Sequence, residues 1–369
     1  MKAKGVSDQI LKVLKSWLEI RKSVVLVGGQ ASRERTLSNM VYQGTVWGPP
    51  LWNSFFEDAR KAVASNEFSE TAYADDLIAF RGFFEGVSHA ILDAAMLSCQ
   101  SDLRRWGEAN QVTFDPAKES FHIISRHRPK GTNFVELGVE FDCRLIMRDA
   151  VHQCAVEAGW KIKCVLRPQR YFTTTETVKL YLSHVLSFIE YRTPAIAHAA
   201  PSILVEIDQL QNRFLRALDI SEEEALIHFR LAPLAVRRQI AILGVIHRCN
   251  LKQGPPQLWS FFERSNSVRS YNTRSVGRSH DRRLVERAVP CQPVLFQRSA
   301  FGGTRAYNLL PRWIAHSPSV KTFQRNLQKL VCLRAEAGRE DWKDTLCWTR
   351  LSSGHPLVSD SLCHPQQDH

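Results

Sequence analysis

Apolar positions along the chain recur at two spacings, and the change between them divides the sequence near Ala150. Before it, short apolar runs bounded by glycine and proline alternate with amphipathic stripes, which predicts an α+β layer with a small antiparallel sheet. The predicted elements are a helix over 7–21, a strand over 23–27 before the Gly28-Gly29 turn, helices from near Leu51 and Ile91, and strands over 121–124 and 134–141.

After Ala150 the apolar period becomes helical and stays so. Stripes such as Val151, Ala155, Ala158 and Ile162 predict an all-helical domain. The predicted divisions are 1–150 as an α+β domain, 151–251 as a helical domain, 252–290 as a basic linker or loop, 291–350 as a C-terminal helical segment and 351–369 as a disordered polar tail.

Composition indicates a basic surface and a reducing compartment. The 369 residues carry 49 Lys+Arg against 37 Asp+Glu, a net charge of +12, and a basic surface favours polyanions such as nucleic acid. The nine cysteines include no C-x-x-C pair, which fits a reducing compartment. No apolar run approaches the ~18 residues of a membrane span, and no secretory signal is visible. We therefore expect an intracellular protein with no membrane partner, and leave nucleus or cytoplasm open.

The stretch Thr71 to Phe80 (TAYADDLIAF) carries the candidate chemistry. An apolar run stops for Asp75 and Asp76 and then resumes, which predicts a β-hairpin with acids at the turn. Such a tip can present carboxylate oxygens to Mg²⁺. An ordinary Asp-Asp turn remains the alternative for these residues taken alone.

A second motif stands about thirty residues upstream, where Val41 to Asn53 reads VYQGTVWGPPLWN. Together the two stretches resemble motifs B and C of reverse transcriptases, a QG…P-L-N loop and helix followed by the YADD box. YADD also occurs in group II intron and retron enzymes. Later stretches are similar to non-LTR (LINE-type) retrotransposon polymerases, and the one that favours this type is Arg298 to Pro311 (RSAFGGTRAYNLLP).

The resemblance implies a partial polymerase palm followed by a thumb-like helical domain, and RNA-directed DNA polymerase chemistry. Asp75 and Asp76 would be catalytic ligands of Mg²⁺ in a two-metal site, and Tyr73 would lie beside the primer end. Gln43 and Gly44 would meet the incoming nucleotide and the template. Lys118, in a motif D position, would meet the triphosphate. The implied partners are an RNA template, a DNA primer and deoxynucleoside triphosphates.

Other late motifs are similar to parts of the same family. Leu137-Gly138-Val139 resembles the primer grip, motif E. The remaining similar stretches are Leu180 to Tyr191 and 211–216 in the thumb region, and Leu234 to Arg248 in the segment that follows it.

The resemblance departs from the family pattern at motif A, an F/Y-x-D strand that supplies another metal-binding aspartate. The aspartate that precedes Gln43 is Asp8, which we interpret as a helix-start residue. We therefore expect a 5′-truncated polymerase homologue with weak or no catalysis of its own. Two alternatives stay open: an active enzyme whose coding sequence extends upstream, and a repurposed nucleic-acid-binding protein that keeps the fold without the chemistry.

Overall fold

The protein is a mixed α+β chain that is mostly helical, with small antiparallel sheets. The computed structural model describes residues 1–2, 5–19, 21–37, 44–265, 280–286, 294–351 and 355–359. Two compact units divide it, Met1–Phe121 and His122–His369. No helix among the described residues is long and apolar enough to cross a membrane.

The described residues of the first unit form three α-helices and three short antiparallel strand pairs. The pairs are β1 with β4, β2 with β3, and β5 with β6. The elements are α1 (Asp8–Leu18), β1 (Arg21–Ser23), β2 (Leu26–Val27), β3 (Gln30–Ala31), β4 (Arg35–Leu37), α2 (Gly48–Ala64), β5 (Ser69–Tyr73), β6 (Asp76–Phe80) and α3 (His89–Ala109).

The predicted helices and the first turn of this unit are confirmed. Gly28 and Gly29 both have positive φ, 58° and 82°, as a tight turn with the twist of a hairpin requires. The predicted strand over 23–27 is divided between β1 and β2. The double proline lies in the first turn of α2, where its missing N–H groups have no intrahelical partner to lose.

The core of the first unit is small and lies between α2, α3 and the β5–β6 hairpin. Val63, Phe68 and Cys99 are buried at its centre, and Leu77 packs against them. By contrast α1 buries only Leu14. Burial in this unit is thus concentrated beneath the hairpin that carries the Asp pair.

In its described ranges the second unit is mostly helical, with one hairpin and two isolated β-bridges. Its elements are β7 (Phe134–Glu136), β8 (Val139–Phe141), α4 (Arg148–Leu166), α5 (Thr174–Tyr181), α6 (Ser187–Ile196), α7 (Pro201–Ala217), α8 (Glu222–Phe229), α9 (Leu234–Asn250), α10 (Pro256–Trp259), α11 (Val294–Arg298), α12 (Ala300–Leu309), α13 (Arg312–Ala315), α14 (Val320–Glu336) and α15 (Pro356–Ser359). A π-helical turn, Leu182–Leu186, joins α5 to α6.

Two hydrophobic clusters fill this unit. The first lies among α4, α6 and α7 and includes Val151, Ile189 and Phe214. The second lies among α9, α12 and α14 and includes Leu243 and Phe323. The helical stripes predicted after Ala150 are therefore the core-facing stripes of these helices.

The single strand predicted over 134–141 is wrong. Leu137 and Gly138 both have positive φ, 47° and 76°, and they form the turn of the β7–β8 hairpin. Over the predicted strand at 121–124, an isolated bridge from Ile123 to Lys130 is present instead of a strand. Because Val139 and Phe141 pack in the first cluster, the compact division falls earlier than the boundary predicted near Ala150.

The described ends of the stretch predicted as a linker, 252–290, belong to the second cluster. Phe262 and Leu284 are buried there, and Arg264 forms a β-bridge with Leu284. In the segment predicted as a disordered tail, Leu357 of α15 is buried. Positions 266–279, 287–293, 352–354 and 360–369 lie outside the described residues.

Candidate functional site

The Tyr73–Asp76 tip is a hairpin with a two-residue turn. β5 and β6 pair antiparallel, and Tyr73 stands opposite Asp76 in the register. Ala74 and Asp75 form the turn, and Ala74 has a φ of 55°, a conformation that is unfavourable for a residue with a Cβ atom. The predicted hairpin is confirmed, with Asp75 in the turn and Asp76 at the first position of β6.

The two faces of the hairpin have different surroundings because side chains alternate along a strand. Leu77 packs onto the core formed with α2 and α3. Tyr73, Asp76 and Phe80 project from the opposite face, where the side chains of Tyr73 and Phe80 are 65% and 52% exposed. An aromatic side chain and a carboxylate thus lie side by side on an open surface next to the turn.

A hydrogen bond from α2 braces the turn. The indole Nε1 of Trp52 donates to the carbonyl oxygen of Ala74 at 2.7 Å. The ring of Trp52 stacks on Phe56, with centroids 5.3 Å apart, and Phe56 meets Trp106 of α3 edge-on at 5.5 Å. The loop-and-helix motif and the YADD motif are therefore joined directly, and an aromatic cluster fixes the joining side chain.

A second contact ties α2 to the hairpin at its other end. Arg60 lies 2.5 Å from the carboxylate of Glu70, whose side chain is only 14% exposed. The hydrogen bond that Arg60 donates to Glu70 is the main influence that raises the pKa of Arg60. Because a mostly buried carboxylate needs a partner, this pair fixes the register of β5 against the helix.

The carboxylates of Asp75 and Asp76 are exposed. Neither has a hydrogen-bond or ion-pair partner among the residues that the structure describes. Mg²⁺ takes oxygen ligands and keeps several waters, so one or two carboxylates and substrate phosphates suffice to hold it. The donor set at the tip therefore fits one side of a magnesium site.

A complete cage is not formed by the described residues. No group of three or more His, Cys, Asp or Glu side chains placed to hold a metal ion occurs in the described ranges. Asp8 begins α1, where Ser7 caps the helix, and its carboxylate pairs with Lys2 at 3.1 Å. Its interpretation as a helix-start residue is thus confirmed.

The other predicted site residues of the first unit are only partly located. Gln43 lies outside the described residues. Gly44 has a φ of 80°, and a Cβ atom added there would meet no atom of the described residues within 4 Å, so none of these residues blocks approach to the backbone at this point. Lys118 is exposed at the end of a turn in which its N–H donates to Asp115.

The turn that carries Lys118 is attached to α3. Glu119, the next residue, accepts a hydrogen bond from Arg104 at 2.7 Å and one from Gln100. Lys118 itself has no carboxylate partner in the described part of the chain, so its ammonium group is free to meet an anion. Sequence spacing located Lys118 but not the side chains that fix its turn.

In the second unit, the turn of the β7–β8 hairpin is held by a helix. The hydroxyl of Tyr191, on α6, donates to the carbonyl of Leu137 at 2.7 Å. The stretch resembling motif E thus contains the hairpin turn, and Tyr191, in the stretch Leu180 to Tyr191, holds it.

Two late motifs meet in a buried polar network. His247 of α9 and Tyr307 of α12 are both fully buried, and Nδ1 of His247 lies 2.8 Å from the hydroxyl of Tyr307. Nε2 of His247 lies 3.1 Å from the Ser317 carbonyl, so Nε2 carries the proton and Nδ1 accepts from Tyr307. Asn250 donates to the same hydroxyl at 3.2 Å. The network is fully satisfied only with neutral His247, and burial lowers the pKa of His247 to about 4.

Asn250 also connects the two described ends of the 252–290 stretch. Its side-chain oxygen accepts from Arg264 at 2.7 Å, and its Nδ2 donates to the carbonyl of Arg282 at 2.8 Å. Sequence analysis did not predict these polar partners, because it identified Tyr307 only as part of a motif.

Comparison with protein-family models, with curated proteins and with solved structures finds no match for this chain.

Proposed function

We propose that this chain is a homologue of non-LTR reverse transcriptases, in which the hairpin at Asp75 and Asp76 is one side of a two-metal nucleotidyl-transfer site. The observation that carries the proposal is the two-residue turn that leaves both carboxylates free, with Trp52 of the loop-and-helix motif hydrogen-bonded to it. An ordinary Asp-Asp turn does not require a helix from a second motif to hold its backbone.

The residues of the first unit have separable roles in this proposal. Asp75 and Asp76 would hold Mg²⁺, which when bound activates a hydroxyl and stabilises a leaving pyrophosphate. Tyr73, opposite Asp76 on the exposed face, would support the end of a primer. Gly44 would let the template or nucleotide approach the backbone closely, and Lys118 would neutralise phosphate charge.

From this proposal we expect the described residues alone to catalyse little nucleotidyl transfer. Two metal ions need more negative charge than two carboxylates supply, and no third acid joins Asp75 and Asp76 within the part of the chain that the structure describes. A chain with only one side of the site would bind primer–template without extending it efficiently.

The test combines binding with extension. A labelled DNA primer on an RNA template is titrated with the purified chain at several salt concentrations, and extension is followed with deoxynucleotides and Mg²⁺. We expect binding that weakens steeply as salt rises and no extension above that of Asp75→Asn/Asp76→Asn. Absence of binding at low salt would overturn the proposal. Extension that disappears in Asp75→Ala would overturn the expected inactivity and keep the homology.

A second candidate is a basic nucleic-acid-binding protein that uses the fold without the chemistry. The net charge of +12 and the incomplete acid set favour it. The two candidates differ in the effect of Mg²⁺ on primer–template affinity. If the tip holds a metal, Mg²⁺ strengthens binding and Asp75→Asn/Asp76→Asn removes that gain. If the protein is repurposed, Mg²⁺ weakens binding like any salt, in the chain and in the variant alike.

A further inference from the structure

The C-terminal ends of α4 and α7 meet beside a cavity in the second unit. The two helices run side by side in the same direction, since His152 contacts Glu206 near their beginnings and Gln169 donates to the carbonyl of Ala217 at their ends. This cavity is widely open to solvent and has a volume of about 550 Å³.

The walls of this cavity are cationic and polar. Arg167, Arg170, Phe172 and Thr177 are among the residues that line it, and no Asp or Glu is among them. Arg167 and Arg170 are exposed, and neither has an ion-pair partner in the described part of the chain. Elsewhere in the unit arginines such as Arg238 are held by carboxylates, here Asp208 at 2.6 Å. The two cavity arginines are free to bind an anion.

A row of exposed side chains on α4 leads to the cavity. Val156, Trp160, Lys163 and Arg167 are spaced by four, three and four residues, so they share one face of the helix, and all four are exposed. The side chain of Trp160 is 66% exposed. The acid of this part of α4, Glu157, pairs with Arg192 instead. From Trp160 to Arg167, a rise of about 10 Å along the helix, the row therefore combines an exposed aromatic ring with two cations that no described carboxylate neutralises.

An exposed aromatic residue, Tyr171, directly follows the cavity residue Arg170 in the chain. Tyr171 is 71% exposed, and the guanidinium of Arg170 lies 4.7 Å from its ring centroid and donates to its hydroxyl at 2.6 Å. This contact fixes the ring and leaves most of it open. Cations at helix ends commonly offset the helix dipole, which accounts for Lys163 in the last turn of α4 and for Arg167 at its C-cap. The dipole does not account for Arg170, which lies beyond the helix, or for the uncharged rings of Trp160 and Tyr171.

We infer that this surface, defined by Trp160, Lys163, Arg167, Arg170 and Tyr171, binds single-stranded nucleic acid. The arginines and the lysine meet successive phosphates, and the two exposed rings stack on unpaired bases, as sequence-independent single-strand sites do. In a duplex the bases already stack on one another, so their faces are not accessible to the rings of Trp160 and Tyr171. The inference rests on the proposed function in taking nucleic acid as the ligand, and it adds a second contact region outside the Asp75–Asp76 hairpin.

The test uses the full-length chain and a labelled oligothymidylate or oligouridylate, with a duplex of equal length in parallel. In the variant Arg167→Gln/Arg170→Gln we expect single-strand affinity to fall about tenfold and the salt slope to fall by about 1.4, which is roughly 0.7 for each phosphate contact. Trp160→Ala and Tyr171→Ala should each weaken single-strand binding about tenfold and leave duplex binding within twofold, whereas Tyr171→Phe keeps the affinity.

A matched charge control lies on another helix of the same unit. Lys321 and Arg325 of α14 are exposed and one helical turn apart, and Lys321→Gln/Arg325→Gln removes the same charge without touching the cavity. We expect single-strand affinity to change less than threefold in this control variant. Equal losses in the two double variants, or no loss in the aromatic variants, would overturn this inference and leave the proposed function standing. No binding of any nucleic acid by the unaltered chain would overturn both. Unchanged circular dichroism and thermal midpoints establish that the variants are folded.

Discussion

The indole nitrogen of Trp52 donates a hydrogen bond to the carbonyl of Ala74, the first of the two turn residues between Tyr73 and Asp76. Trp52 belongs to the helix that follows the glycine loop, and Ala74 belongs to the tip that carries the Asp pair. The bond therefore makes the position of the carboxylates depend on a residue 22 positions earlier in the chain.

Replacing Trp52 by phenylalanine should make the β5–β6 turn more mobile while an aromatic ring remains in the cluster. The variant keeps an aromatic ring against Phe56 and loses only the donor, so we expect a cost of about 0.5–1 kcal/mol, since the freed carbonyl is exposed to water. Hydrogen exchange of peptides covering 69–80 should quicken about two- to fivefold. Trp160→Phe, which removes an exposed indole with no such bond, should leave exchange at the hairpin unchanged. Equal exchange rates in both variants would show that the bond does not hold the turn.

Gly107 should be intolerant of alanine although it lies inside α3. A Cβ atom there would lie 2.6 Å from the carbonyl oxygen of Val112 and 3.0 Å from the ring of Phe114, because the chain folds back over the helix end. We expect Gly107→Ala to cost about 1–3 kcal/mol and to displace the segment that leads to Lys118.

The control for this prediction is Gly159 of α4. A Cβ atom there would meet only Leu210, at 3.7 Å, so Gly159→Ala should be neutral or should stabilise by up to about 1 kcal/mol through helix propensity. Urea unfolding of both variants checks the pair of predictions. A stable Gly107→Ala variant would contradict the close approach of the chain at Val112.

His247 makes the second unit sensitive to acid. Burial holds the pKa of His247 at about 4 in the folded protein, below the ordinary value near 6.5, so the unfolded chain binds more protons between these pH values. The stability is therefore fully present above pH ~6.5 and is lost as the pH falls toward 4. His280 is also buried and its pKa is lowered, so it contributes in the same direction.

A non-titrating substitution isolates the contribution of His247. His247→Gln should be less stable at neutral pH, but its free energy of unfolding should fall less steeply between pH 6.5 and 4, by up to about 1.4 kcal/mol per pH unit. Urea unfolding at a series of pH values, followed by tryptophan fluorescence, measures both slopes. The same slope in the variant and the unaltered chain would show that His247 is not protonated on acid unfolding.

The sequence predicted helices and the hairpin better than it predicted contacts. Long apolar stripes such as that of α9 predicted helices correctly. The YADD stretch forms the expected hairpin, but its turn is Ala74-Asp75, and Asp76 begins β6. The alternation of apolar residues over 134–141 led to the wrong prediction of one continuous strand. Apolar residues continue across the two-residue turn, and Gly138 is the one residue in this stretch that indicates a turn. Local pattern and turn chemistry act within a few residues, and they were sufficient for the long helices and for the β5–β6 hairpin.

What sequence could not supply is which distant side chains complete a site. Neither the bond from Trp52 to Ala74 nor the pairing of Arg60 with Glu70 follows from spacing, since each joins a helix to a strand beyond an intervening turn. The cavity beside Arg167 and Arg170 likewise exists only because α4 and α7 end at the same place. A tryptophan in an otherwise ordinary amphipathic helix is at most a signal that its N–H needs a partner.

The central claim is that the hairpin at Asp75 and Asp76 faces nucleic acid, and hydrogen exchange in the presence of a primer–template duplex tests it most directly. The hairpin carries Tyr73 and Asp76 on its open face, so bound duplex with Mg²⁺ should slow exchange in peptides covering 69–80, and Asp75→Asn/Asp76→Asn should reduce that protection. Slowed exchange there is the predicted result. Saturated binding with unchanged exchange over 69–80 would contradict the claim.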